Sequence, residues 1–193
     1  MTATAATTDP LEALRLVRAE LDGLVDAMGE DGGALDAVVA LLADADRIFV
    51  HGAGRSGLAL RMTAMRLMHL GSDVHVVGDV TTPAIGEGDV LLTASGSGTT
   101  GGIVRAAESA KEAGARVVAL TTSATSPLAG LSSAAVVVPA AEKLDRSGSA
   151  SAQYAGGLFE QAVVLIGDAL FHALWQRSGQ SADDMWPRHA NLE

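Results

Sequence analysis

The sequence predicts an α/β fold, a doubly wound parallel sheet of five strands with extra helices at both ends. Three observations point to it. Short, almost unbroken apolar runs alternate with longer stretches of helical spacing, the pattern of a parallel sheet covered on both faces. Glycines close several of the helical stretches, Gly71 and Gly114 most clearly. Two glycine- and hydroxyl-rich loops, His51-Gly-Ala-Gly-Arg-Ser-Gly57 and Ser95-Gly-Ser-Gly-Thr-Thr100, each directly follow a strand-like run and lead into a helix.

Taken in order, Leu11 to Met28 carries Leu14, Val17, Leu21 and Leu24 at helical spacing with charges opposite. DGGAL interrupts it, and a second helix runs from Ala34 to Ala43. Strand one is Arg47 to His51, and a helix follows from Ser56 to Leu70. Strand two is Val74 to Val77 and strand three Asp89 to Ala94. Thr100 to Ala113 is helical, Val117 to Thr121 is strand four and Ala135 to Pro139 is strand five. A long helix runs from about Tyr154 to Arg177, followed by a short polar tail. The expected organisation is a single domain: amino-terminal helices over residues 10–44, an α/β core over 46–140, and the carboxyl-terminal helix and tail over 153–193. Met1 to Thr8 reads as a frayed end, and Glu142 to Ser151, polar and rich in Ser and Gly, as a mobile loop.

A chain of 193 residues, nearly half of them apolar, can bury a substantial core. The net charge of −10 argues against nucleic-acid binding, which needs a basic footprint. No unbroken apolar run is long enough to span a bilayer, and no leader pattern precedes the first helix, so no membrane partner is expected. The absence of cysteine excludes disulfides and thiol catalysis and suits a cytoplasmic protein. With only Lys111 and Lys143 present, a lysine clamp for an anion is not available. Local dipoles and one or two arginines must hold any anionic ligand.

The two loops are suited to that. Backbone N–H groups, hydroxyls and helix amino-termini can surround a phosphate without a metal. The bland reading of the second loop is a capping turn, but Ser95, Ser97, Thr99 and Thr100 with Gly96 and Gly98 are denser than capping needs. The first loop also fits G-x-G-x-x-G, the dinucleotide fingerprint, with Asp79 placed for a ribose. Arg55 and Ser56 stand where that site has compact, uncharged residues, and the second loop is left unexplained by it. Spacing puts Gln153, Gly157, Glu160 and Val164 near one helical face, and on spacing alone Glu160 reads as an ordinary carboxylate favoured by the helix dipole. His51, at a strand end, can reach the cleft. His69, His75 and His172 read as surface or satisfied core groups, and His189 lies in a terminal tail. No histidine–carboxylate spacing resembles a zinc site. Met62, Met65 and Met68 follow helical spacing and read as core packing.

HGAGRSG, AMRLMHLG, TTP, GDVLLTASGSGTT, GLFEQ and the terminal RHANLE, in this order from about Leu35 onward, resemble the 6-phospho-3-hexuloisomerases of the sugar isomerase (SIS) family. GAGRSG and SGSG are shared across that family; FEQ with RHANLE is more specific. The resemblance implies a flavodoxin-like SIS sandwich, no cofactor, no metal, and a homo-oligomer, dimer or tetramer, with active sites between subunits. The implied reaction interconverts D-arabino-hex-3-ulose 6-phosphate and fructose 6-phosphate, within the ribulose monophosphate pathway. Ser56, Ser95, Ser97 and Thr100 fall on phosphate-binding positions, with Arg55 beside them and Gln153 and His51 as further substrate contacts. Glu160 falls on the proposed base, and His189, or else His51, would shuttle a proton. Thr99 departs from a frequent glutamate, and Gln153-Tyr-Ala-Gly156 from QPMG, so Tyr154 and Ala155 could alter the pocket. A non-catalytic sugar-phosphate sensor and an isomerase for another phosphosugar are the alternatives.

Overall fold

The computed structural model describes residues 8–29, 32–141, 145 and 151–192. Its centre is a five-stranded, all-parallel sheet in the order β2-β1-β3-β4-β5, built from β1 (Ile48–Gly52), β2 (Val74–Val76), β3 (Val90–Ala94), β4 (Arg116–Thr121) and β5 (Ala134–Val137). Register runs evenly: Ile48 pairs with Val74 on one side and Val90 on the other, and Leu92 with Val118. This order reverses direction between β1 and β3, the topological switch point at which open α/β sheets form a crevice beyond their carboxyl ends.

Alternation along the strands divides the core in two. Ile48, Val50, Val90, Leu92, Val118 and Leu120 face α2 (Gly32–Ala43), α3 (Gly54–Leu70) and α6 (Gly157–Ser178). Phe49, Leu91, Val117 and Ala119 face α4 (Gly101–Glu112) and α5 (Pro127–Leu131). Two buried faces explain why the strands read as continuous apolar runs. Helices α3 and α6 make the most extensive helix pair, and α1 (Pro10–Met28) leans on α6. Among the described residues α6 is long and apolar enough to cross a membrane, but half of that stretch is buried inside the domain, as a core helix requires.

Local chemistry sets the boundaries. Asp9 caps α1 by accepting from the Leu11 N–H at 2.9 Å, with Pro10 at the first helical position. Gly71 ends α3 at φ 104°, and Gly179 ends α6 at φ 68°. At the base of the sheet the buried Asp89 accepts two bonds from Arg47, at 2.9 and 2.6 Å, and one from the Gly86 N–H at 2.7 Å. This clamp ties the start of β1 to the loop entering β3.

Three expectations are corrected. The tail after α6 is folded back: Ser181 and Asp184 form a capping box that starts α7 (Ala182–Met185), Met185 is buried, and a 3₁₀ turn follows over Trp186–Arg188. Arg188 then bonds the His69 carbonyl, at 3.2 Å, holding the tail on the end of α3. Helix α6 starts at Gly157, not Tyr154, because Ala155 takes a left-handed φ of 52° that breaks helical continuity. Met62, Met65 and Met68 are exposed, at 51%, 54% and 38%, since the inward stripe of α3 is Ala59, Leu60, Thr63, Ala64 and Leu67. Beyond the expected elements, the short helix α5 lies between β4 and β5; Ser126 caps it and Pro127 opens it. The loop expected over Glu142 to Ser151, apart from Asp145 and Ser151, and the end expected to fray, apart from Thr8, lie outside the described residues.

Candidate active site

A cleft of about 400 Å³ opens over the carboxyl ends of β1 and β3, at the switch point. Ala53 and the first turn of α3, with Arg55 and Ser56, form one side, and the β3–α4 loop contributes Ser95, Ser97 and Thr100. Phe159 and Glu160, from the first turn of α6, close the third side. The cleft is thus the meeting point of three helix amino-termini, those of α3, α4 and α6.

None of these three ends is capped by a side chain. Ala53, Thr100 and Gly156 occupy the N-cap positions, and none accepts a bond through a side-chain atom. The contrast lies within the same chain: α1, α5 and α7 are capped by Asp9, Ser126 and Ser181. The Gly157 N–H bonds the Tyr154 carbonyl and the Ile103 N–H that of Thr100, while the other first-turn N–H groups, left without side-chain caps, and the three helix dipoles make a field suited to an anion. Thr100, rather than capping α4, pairs its hydroxyl with Ser95 at 3.0 Å, and Ser97 pairs with Thr99 at 2.9 Å.

Each loop has a backbone reason for its glycines. A Cβ on Gly52 would lie 2.9 Å from the Gly57 Cα, and one on Gly57 would collide with the Gly52 carbonyl, so this pair lets α3 start hard against β1. Gly98 has φ +62° and a Cβ there would strike Ser126. The second loop is braced from β4: the Gly96 carbonyl accepts from the Thr121 hydroxyl at 3.0 Å and from the Thr122 hydroxyl and N–H, each at 2.8 Å. The Leu128 N–H bonds the Gly98 carbonyl at 3.1 Å.

Glu160 is mostly buried and forms an ion pair with Arg55, Nε to Oε2 at 2.5 Å. Its helix is pinned from a distance. Glu20 of α1 accepts bonds from the Ala152 N–H at 2.6 Å, the Ser151 hydroxyl at 2.8 Å and the Gln153 amide at 2.9 Å. Burial pushes the Glu20 carboxyl upward, but these three bonds outweigh it and hold it below its ordinary value. Gln153 in turn exchanges two amide bonds with Gln161, at 2.8 and 3.1 Å, across the first turn of α6.

The structure therefore brings Arg55, Ser56, Ser95, Ser97, Thr100 and Glu160 together. Three other candidates lie elsewhere. Gln153 does not line the cleft, because its amide is consumed by Glu20 and Gln161. His51 shares the sheet face of Phe49 and turns toward the Gly102 carbonyl beneath α4; burial pushes it below the ordinary histidine range, against the effect of that bond. His189 stacks on His69 at 4.0 Å and leans on Trp186 at 4.7 Å, at the far end of α3. Ser56 and His69 are 13 residues apart on that helix, about 20 Å at its rise per residue. Within one chain His189 cannot meet Glu160. Asp79 is paired with Arg61 at 3.0 Å and does not line the cleft, so it is not placed as the ribose-binding carboxylate that a dinucleotide site would need. Tyr154 points into solvent. Phe159, packed 3.4 Å from where a Gly96 Cβ would lie, and Glu20 escaped the sequence reading.

A larger cleft, about 540 Å³, lies at the opposite end of the sheet, below the amino ends of β1 and β2, beside Leu42, Asp46, Leu70, Asp73, Leu174 and Arg177. There α2, α3 and α6 present their carboxyl ends, and two carboxylates add to them, a field that repels phosphate.

Comparison with known proteins agrees with the fold. The SIS domain family profile matches residues 41–164. The 3-hexulose-6-phosphate isomerase of Mycobacterium gastri is 60% identical over 147 residues, covering 76% of this chain and 74% of that protein. The protein of the same name from Bacillus subtilis strain 168 is 39% identical over 148 residues, covering 76% and 80%. A crystal structure of a hypothetical protein from Methanococcus jannaschii, for which a 3-hexulose-6-phosphate isomerase function was inferred, is 27% identical with a TM-score of 0.78, covering 94% of this chain and 99% of that one.

Proposed function

This chain belongs to the SIS domain family, and we propose that it is an isomerase interconverting D-arabino-hex-3-ulose 6-phosphate and D-fructose 6-phosphate. The observation that carries the proposal is the convergence of three uncapped helix amino-termini on one cleft with the Glu160 carboxylate on its wall. The whole chain is read as one such unit, acting in the ribulose monophosphate pathway of formaldehyde fixation, in the cytoplasm.

The phosphate does no chemistry. Seated among the Ser56, Ser95, Ser97 and Thr100 hydroxyls and the orphan N–H groups, it fixes the open-chain sugar so that its second and third carbons reach Glu160. Glu160 takes the proton from the second carbon, the electrons of that bond form a cis-enediol with the third, and the same carboxylate returns the proton to the third carbon. The carbonyl thereby moves from the third carbon to the second. A positioned general base of this kind contributes about 10²–10⁴-fold. The accompanying hydroxyl proton passes between the two oxygens, a task we assign to His189.

Since His189 sits about 20 Å along α3 from its own cleft, it serves this role only across a contact between copies. A homo-oligomer, a tetramer on this reading, fits the exposed apolar residues of the helices that flank the cleft: Leu58, Met62 and Met65 on α3 and Leu165 on α6. A coupled assay tests the function: hexulose phosphate supplied, fructose 6-phosphate measured, with EDTA present and no metal added. Turnover is expected. Tight binding without turnover would make the protein a sensor, and loss of turnover in EDTA would overturn the metal-free mechanism. Light scattering of wild type and of the Met62→Lys/Met65→Lys variant tests the assembly; a monomeric wild type would overturn it.

A further inference from the structure

The cleft is charged in an unusual way. Among the described residues its lining holds one cation, Arg55, and one anion, Glu160, and they are paired with each other. Both are residues the proposed reaction needs apart. The Arg55 Nε occupies the Oε2 of Glu160 at 2.5 Å, and that oxygen is not open to a carbon-bound proton while the pair holds. A guanidinium held by a carboxylate offers less of its donor fork to a phosphate.

The surroundings favour an exchange. Arg55 lies in the first turn of α3, next to Ser56, so its backbone belongs to the phosphate cradle while its side chain crosses to α6. Its side chain is 68% exposed, so it can swing, whereas Glu160 is 23% exposed on a helix braced through Gln161 and Gln153 by Glu20. A phosphate dianion arriving among the orphan N–H groups brings two negative charges against one. The mobile partner is the arginine, and the fixed one is the carboxylate.

On the reading of the site given above, we propose that Arg55 is a substrate-operated cover for the base: its ion pair with Glu160 occupies the carboxylate, and the substrate's phosphate draws the guanidinium away and uncovers it. Phosphate recognition and base activation are then one event. A sugar without phosphate finds the carboxylate covered, so the ion pair acts as a specificity device as well as a binding contact.

Inorganic phosphate binding provides the test, measured calorimetrically at low ionic strength for wild type, Glu160→Gln, Arg55→Ala and the double variant. If the two anions compete for Arg55, removing the carboxylate frees it, and Glu160→Gln binds phosphate about two- to fivefold more tightly, the range of an exposed ion pair. In the Arg55→Ala background the same change then alters phosphate affinity little. Equal tightening in both backgrounds would reduce the effect to charge repulsion from Glu160 and overturn the proposal, as would no tightening in either. Fructose 6-phosphate serves as the control for the underlying reading. If neither it nor phosphate binds wild type, the assignment of the cleft itself fails; if both bind but the cycle shows no dependence on Arg55, the cover alone is wrong. Circular dichroism verifies that wild type and the three variants are all folded.

Discussion

Glu20 lies on the first helix, 140 residues from the candidate base, yet its replacement by alanine is expected to slow catalysis. The carboxylate accepts bonds at 2.6, 2.8 and 2.9 Å from Ala152, Ser151 and Gln153, and Gln153 carries the restraint to Gln161 on α6. A bond to a charged group contributes about 1.5–3 kcal/mol in protected settings. Glu20 is part-exposed, so solvent reduces each to about 0.5–1 kcal/mol, and the three together to about 2 kcal/mol. For a chain of this size that corresponds to a Tm lower by about 4–8 °C. Loosening the start of α6 also blurs the position of Glu160, and kcat should fall about tenfold, since placement errors near 1 Å cost up to about a hundredfold. Glu20→Gln keeps one accepting oxygen and should lie between. The clamp needs the ionised carboxylate, so with its lowered value it persists above the ordinary 4.5 and is lost as pH falls through that lowered value. Differential scanning calorimetry and steady-state kinetics read both effects. An alanine variant with unchanged Tm and kcat would refute the coupling of α1 to the site.

Two further outcomes follow from the same geometry. Ser97→Ala should raise KM for the phosphorylated substrate about tenfold, the loss of one bond to a charged group, with little change in kcat; an unchanged KM would remove Ser97 from the phosphate cradle. Asp89→Asn should destabilise the fold by about 2–3 kcal/mol in urea titration, because it breaks the Arg47 pair in a buried setting. Burial works to raise Asp89, but the Arg47 and Gly86 bonds hold it below its ordinary 3.8. Its contribution is therefore present above that pH and lost as pH falls through the lowered value, so the variant's stability should fall less steeply in acid than that of wild type.

The fold was legible because its signals are local. Unbroken apolar runs mark strands buried on both faces, and Gly71 and Gly114 mark helix ends. The two loops stood out in the sequence as a candidate anion site because Gly52, Gly57 and Gly98 are there for backbone reasons that survive as spacing. What stayed hidden depends on long-range partners. Nothing near Glu20 in sequence says that it will meet Ala152, and nothing near Thr121 says that it will brace Gly96. The methionines of α3 misled for a related reason: helical spacing identifies a stripe but not which side of it faces the sheet. The docked tail was readable after all, since Ser181-Ala-Asp-Asp184 is a capping box, a signal masked by the prior that termini fray. The location of His189 at the wrong end of α3 follows from that docking alone.

Replacing Glu160 with glutamine while following both fructose 6-phosphate binding and turnover tests the central claim most directly. The variant keeps the size of the side chain and leaves the hydroxyl loops untouched, so substrate should bind at least as well as to wild type. Turnover should fall by about 10²–10⁴-fold, the contribution of a positioned general base. A glutamine variant that isomerises the sugar at the wild-type rate would contradict the account, because the proton at the second carbon would then have some other acceptor.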